Sequence, residues 1–201
     1  MGCEVQSHLD EYGFYPAGGG QWQAQIKPTA SLRYLHLDYA HEKQKLKAVV
    51  ISSRVPRHVA DRELKQVLNK CALEEHATEI CEVKSVGPGN MLSLQFVQGK
   101  FIRVFDAFGQ KNVSAERVAN KAIGKLELFV QAKVAVDEHL ADQLLLPLIL
   151  GKGGRFTTTE PSPHLLTNIF VVEQFMGSRV VLSKVNDSAW ELVIQPPESM
   201  A

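Results

Sequence analysis

Between Leu46 and Phe129 the hydrophobic pattern switches from strand to helix to strand and back to helix, and this alternation constrains the fold more than any other feature. Leu46–Ile51 (LKAVVI) reads as a buried strand. Pro56 opens a helix in which Val59, Leu64, Val67, Leu68 and Cys71 recur at helical spacing. Strands follow at about 78–86, 91–97 and 101–106, broken by Gly87-Pro88-Gly89-Asn90 and by Gln98-Gly99-Lys100. Ser114 then caps a long helix carrying Val118, Ala122, Ile123, Leu126 and Phe129. The order β-α-β-β-β-α predicts a compact α/β unit over 41–133.

The flanks extend the same mixed layout. Residues 4–9 form a strand, and the turn-rich DEYGFYPAGGG (10–20) leads into a second, where Trp22, Ala24 and Ile26 alternate with polar residues. That alternation predicts a half-buried strand ended by Pro28, with a further strand across 32–37. After the middle unit, Asp137 starts the helix EHLADQLLLPLIL, which Pro147 should end or kink near its C-terminus. The loop GKGG (151–154) leads to a short strand at 155–159. A helix then runs from Pro163 to about Met176, with Ser162 as N-cap, Pro163 at the first position and Gly177 as the stop. Strands at 179–185 and 190–194 close the layout, and PPESMA reads as a frayed tail. The expected class is α/β of the α+β type, divided into 1–40, 41–133 and 134–201.

Composition narrows the setting more than the function. At 201 residues, 45% hydrophobic and 22% charged, the chain can bury a sizeable core as one large domain or two small ones. Lys plus Arg (22) equals Asp plus Glu (22), so net charge argues for neither a nucleic-acid nor a membrane partner and leaves a local basic groove open. Cys3, Cys71 and Cys81 are odd in number and lack CxxC spacing, which predicts reduced thiols and a cytoplasmic protein. The longest apolar run, 144–150, is too short to span a bilayer and contains Pro147, so no membrane partner is expected.

Three constellations invite chemistry. His139, Asp142 and Gln143 share one helical face beside a stripe of Leu140, Leu144 and Leu148. His and Asp one turn apart suit a metal, but without a third ligand a solvated polar face is an equal reading. The loop GFYPAGGG (13–20) can cradle phosphate with backbone N–H groups or serve a tight, crowded turn, and it lacks the Gly-Lys-Ser/Thr ending of a P-loop. His164 falls in the first turn of a capped helix, with Thr167 and Asn168 at i+3 and i+4 to bond the ring or a ligand. The positive end of a helix dipole favours an imidazole with a free lone pair and also attracts phosphate. Packing, metal ligation and nucleophilic attack all remain open for His164 on spacing alone.

Taken together, these stretches resemble the RNA 3′-terminal phosphate cyclase family. Its glycine signature, Arg/His-Gly-x-x-Pro-x-Gly-Gly-Gly, is similar to Gly13-Phe14-Tyr15-Pro16-Ala17-Gly18-Gly19-Gly20. Its helix motif resembles His139-Leu140-Ala141-Asp142-Gln143-Leu144, and its histidine motif resembles Pro161-Ser162-Pro163-His164-Leu165-Leu166-Thr167-Asn168. VPRHVADREL (55–64), GPGN (87–90) and VSAERVA (113–119) are weaker matches in the same order. Tyr12 stands where the family has Arg or His, and Trp22 where it usually has an aliphatic residue.

The resemblance implies part of a large domain of α/β repeat units, at 1–40 and 134–201, with a small inserted domain at 41–133. It implies an enzyme that uses ATP and a divalent cation (Mg or Mn) to turn an RNA 3′-phosphate into a 2′,3′-cyclic phosphodiester through a histidine–AMP intermediate. His164 would be the nucleophile, with His139, Asp142 and Gln143 lining the nucleotide pocket, Asp142 near the metal or the histidine, and Phe14 and Pro16 close to the adenylate. Family members carry well over a hundred residues before the glycine signature, including a Glu-Gly-Gly-Gly-Gln motif that Gly18-Gly19-Gly20-Gln21 does not reproduce. The expectation is therefore an N-terminally truncated chain whose last two helices lose part of their packing partners, exposing apolar surface that could drive association. A non-catalytic relative that binds RNA in processing or ribosome assembly, and an enolpyruvate transferase of similar overall fold, are the alternatives. The His164 motif argues against both.

Overall fold

The computed structural model describes residues 1–39, 44–99, 101–177 and 179–197. Lys100, expected in a turn, and most of the expected tail, 198–201, lie outside the described residues. The elements are β1 (Glu4–Glu11), β2 (Gln21–Lys27), β3 (Leu35–Leu37), β4 (Gln44–Ser53), α1 (Arg57–Lys70), a 3-10 turn (Glu75–Ala77), β5 (Thr78–Glu82), β6 (Gly89–Gln98) and β7 (Phe101–Phe108). Then come α2 (Ala115–Ala132), α3 (Glu138–Leu150), β8 (Gly154–Thr158), α4 (Pro163–Met176), β9 (Val180–Lys184) and β10 (Trp190–Ile194). The class is mixed α/β, as expected. The chain divides into two compact units: Gln6–Gln25 with His41–Glu127, and Met1–Val5 with Ile26–Ala40 and Leu128–Ala201.

In the first unit the sheet order is β5-β4-β6-β7, with β4 parallel to β5 and antiparallel to β6. The continuous apolar run of β4 suits a central strand. Val50 pairs with Ile80 on one side and Leu92 on the other, and Ala48, Val49 and Val50 are buried. A parallel neighbour demands a crossover, which α1 supplies. That helix buries Ala60, Glu63, Leu64 and Val67. Its inner stripe is therefore rotated from the expected one, with Val59, Leu68 and Cys71 only half-buried. In α2 the expected Val118, Ala122, Ile123, Leu126 and Phe129 are all buried. At the surface Arg62 grips both oxygens of Glu116 (2.8 and 2.7 Å) and Gln66 donates to Asn120 (2.9 Å), linking α1 to α2.

The expectation for β2 is overturned. All residues of β1 and β2 are exposed, including Val5, Leu9, Trp22 and Ile26. The two strands form a sheet of their own, and a two-stranded ribbon offers no second layer to bury an alternating face.

In the second unit the order is β3-β8-β10-β9, with β3 parallel to β8 and the other pairs antiparallel. Phe156 pairs with Leu192 across β8 and β10. Both join Ile194, Ala141, Leu145, Leu148, Ile149 and Leu165 in one hydrophobic core. The inner stripe of α3 is thus Ala141, Leu145 and Leu148, not the expected Leu140, Leu144 and Leu148; Leu140 and Leu144 sit at its margin. Asp137 caps α3, accepting from the N–H groups of His139 (2.8 Å) and Leu140 (2.9 Å). Pro147 lies within α3, which continues to Leu150. The Arg179 guanidinium closes that helix end, donating to the carbonyls of Ile149 (3.0 Å) and Gln195 (2.6 Å). Of α4, only Leu165 is fully buried, and Leu166, Phe170, Val171 and Phe175 face outward. Among the described residues no helix is long and apolar enough to cross a membrane.

Candidate active site

The start of α4 is built to hold one side chain in the open. Ser162 is extended (φ −68°, ψ 156°), and its hydroxyl accepts from the Leu165 N–H at 3.2 Å. Pro163 occupies the first turn, where its missing N–H costs nothing. Leu165 is buried while His164, one residue earlier, is exposed, so His164 is not a core histidine. The first turn contains no acidic residue, leaving the positive helix end available to an anion.

A second helix meets it. Asn168, one turn beyond His164 and on the same face of α4, donates through Nδ2 to Asp142 Oδ1 of α3 at 2.6 Å. This bond places the polar face of α3 beside the histidine-bearing face of α4. His139 and Gln143 are exposed there, Asp142 is half-buried, and His139 Nε2 lies 3.7 Å from Glu138 Oε1. Thr167, expected to bond the ring or a ligand, instead donates to the Pro163 carbonyl at 2.8 Å. Among the described residues no group of three or more His, Cys, Asp or Glu side chains is placed to hold a metal ion. Asp142 is a carboxylate on this face whose chemistry suits a cation shared with phosphate oxygens.

Phe14 and Pro16 belong to the other compact unit. The glycine-rich loop closes on itself through the Gly18 N–H and the Phe14 carbonyl (2.8 Å). A side chain at Gly13 would strike the backbone of Gly20, and Gly19 takes φ +81° with Val86 behind it. The crowded-turn reading therefore explains these glycines by itself. Phe14 is buried against Gly89, while Tyr15 and Pro16 are exposed and joined by a cis peptide bond. Beside the loop lies a cleft of about 600 Å³ lined by residues that include Tyr12, Gly19, Arg54, Lys84 and Val86.

Behind the loop is a pair of residues that pattern reading passed over. Glu63 is fully buried on α1 and accepts from Asn90 Nδ2 at 2.7 Å. Burial pushes its carboxyl up to about 7, with the Asn90 hydrogen bond pulling the other way. The available signal was an acid at the spacing of Ala60, Leu64 and Val67.

Fold and site define a mixed α/β protein whose candidate reactive group is an imidazole at a capped helix start. The family model for RNA 3′-terminal phosphate cyclase matches residues 1–182. A protein of that name from Ectopseudomonas mendocina is 42% identical over 188 residues, covering 93% of this chain and 55% of the relative. Namesakes from Koribacter versatilis (39% over 190 residues; 94% and 54%) and Salmonella typhimurium (41% over 184 residues; 89% and 52%) agree. The chain belongs to the RNA 3′-terminal phosphate cyclase family, and it spans about half the length of these relatives.

Proposed function

We propose that this chain carries the nucleotidyl-transfer centre of an ATP-dependent RNA 3′-phosphate cyclase, with His164 as the nucleophile. The observation that carries the reading is the exposed His164 between its Ser162 cap and the buried Leu165, with Asn168 tied to Asp142 one turn further on. An imidazole nitrogen of His164 attacks the α-phosphorus of ATP, an N–P bond forms, and the bond to the β-phosphate oxygen breaks to release pyrophosphate. An oxygen of the RNA 3′-phosphate then displaces the imidazole and receives the adenylyl group. The vicinal 2′-hydroxyl attacks the 3′-phosphorus, loses its proton and expels AMP, closing the 2′,3′-cyclic diester. The open helix end of α4 favours the incoming phosphate. Asp142, oriented by Asn168, is the carboxylate available to a Mg or Mn ion arriving with the nucleotide. The cytoplasm supplies both ATP and reduced thiols, and the partner is RNA with a 3′-phosphate end.

Because the relatives are about twice as long, the test replaces the matched half of the Salmonella typhimurium cyclase with this chain. Incubated with α-labelled ATP and a divalent cation, the chimera acquires acid-labile, base-stable label, and its His164→Ala form does not. A folded chimera that stays unlabelled, or equal label after His164→Ala, refutes the assignment. RNA binding by an unlabelled chimera would favour the non-catalytic binding relative.

A further inference from the structure

Three residues of the glycine-rich loop pack against one short segment, Val86–Gly89, within the same compact unit. A Cβ at Gly89 would run into the Phe14 ring, and one at Gly87 into the Ala17 side chain. On the loop's side, a Cβ at Gly19 would come within 2.5 Å of Val86 Cγ2. Phe14, Ala17 and Gly19 thus rest on residues 89, 87 and 86 in reverse order, at separations that admit no added side chain between the two segments.

The turn is held at its far end. Gly89 is the first residue of β6 and pairs with Ser53 of β4, and Asn90 follows it, paired with Ser52. Its backbone carbonyl accepts the Gly109 N–H at 2.9 Å, and its side chain lies so close to Gly109 that a Cβ there would overlap Oδ1. Its Nδ2 donates to Glu63 Oε1 at 2.7 Å, with both residues buried. Glu63 Oε2 has no hydrogen-bond partner among the described residues. A buried carboxylate with half of its acceptor capacity unmet is costly to keep, and an apolar residue would suit this stripe of α1 better. Retaining an acid here makes sense if its one bond fixes something that packing does not.

From this arrangement we infer that Glu63 and Asn90 are positioning residues of the glycine-rich loop Gly13–Gly20, acting through the Val86–Gly89 turn. Glu63 fixes the Asn90 side chain, Asn90 fixes the start of β6, and the turn before it sets the seat of Phe14, Ala17 and Gly19. The geometry stands by itself; that the loop so positioned faces a nucleotide rests on the proposed function. VPRHVADREL (55–64) and GPGN (87–90), separate in sequence, thereby become two ends of one device behind a third motif.

Amide hydrogen exchange on the whole 201-residue chain, without nucleotide, tests this. Glu63→Ala removes the acceptor, and Asn90→Asp sets a carboxylate against a carboxylate. In each, exchange at the Gly18 amide rises about tenfold or more, the scale of one buried unsatisfied group, while the Val49 and Val50 amides of β4 keep their protection. Glu63→Gln retains an acceptor and leaves exchange at the Gly18 amide as in the parent. Glu63→Gln combined with Asn90→Asp restores the bond with its direction reversed and returns Gly18 to parental exchange. If Glu63→Ala does not fold, Asn90→Asp and its rescue decide. Unchanged Gly18 exchange in the single variants overturns the inference. So does loss of β4 protection in step with the loop, or failure of the double variant to restore it. Because no nucleotide is involved, the clamp can hold while the labelling experiment fails, and the reverse.

Discussion

Glu63→Gln should stabilise the unit containing β4 increasingly above about pH 4.5, and in full from about pH 7 upward. In the unfolded chain the carboxyl titrates near its ordinary value of 4.5, whereas in the fold burial holds it up to about 7. Below pH 4.5 it is protonated in both states and costs nothing. Between about pH 4.5 and 7 the unfolded chain releases the proton while the folded one keeps it, so stability falls as pH rises. Above 7 both states are ionised and the full penalty applies. At about 1.36 kcal/mol per pH unit, the displacement from 4.5 to about 7 amounts to ~3 kcal/mol. Glutamine has the same shape, keeps the acceptor for Asn90 Nδ2 and carries no charge. Denaturant unfolding read through protection of the Val49 and Val50 amides therefore shows parent and Glu63→Gln matched at about pH 4 and separated by ~3 kcal/mol at about pH 8, the variant being the more stable. A separation that does not change with pH, or one in which the parent gains stability as pH rises, refutes the reasoning.

Other expectations follow from the same geometry. Ser162→Ala removes the N-cap of α4 and costs ~1 kcal/mol, seen as faster exchange of the Leu165 amide with the β8–β10 amides unchanged. Phe156→Ala empties the centre of the second core, where the ring is 0% exposed, and lowers stability by ~3–5 kcal/mol in urea unfolding. The outward face of α4 leaves Phe170 65% and Phe175 82% exposed, so the chain associates with rising concentration in sedimentation. Phe170→Ser with Phe175→Ser weakens that association.

Where a segment finds its burial within the chain, sequence periodicity read it well. The β-α-β-β-β-α unit, the inner face of α2, the Asp137 and Ser162 caps and the stop at Gly177 all appear at or within a few residues of their expected places. The misreadings share one physical cause: periodicity reports which surface is apolar, not what covers it. Alternation in β2 marked Trp22 and Ile26 as one face, but no layer lies over them. The apolar surface expected on the last two helices does appear in α4, where Leu165 alone is fully buried. The inner stripes of α1 and α3 were set by tertiary packing a fraction of a turn from where apolar spacing centred them. At the site, spacing left packing open for His164, and the structure decides against it by placing the side chain in the open. The Asn168–Asp142 bond joins residues 26 positions apart, and no local spacing announces it. Glu63 was hidden for the opposite reason, since an acid on a helix is ordinarily read as solvent-facing.

The most direct test of the central claim locates the adenylyl group. After the chimera reacts with ATP and a divalent cation, peptide mass spectrometry at alkaline pH places an adenylyl adduct on the α4 peptide at His164, and the adduct is absent after His164→Ala. An adduct on a lysine or on another peptide, or one that survives His164→Ala, contradicts the claim.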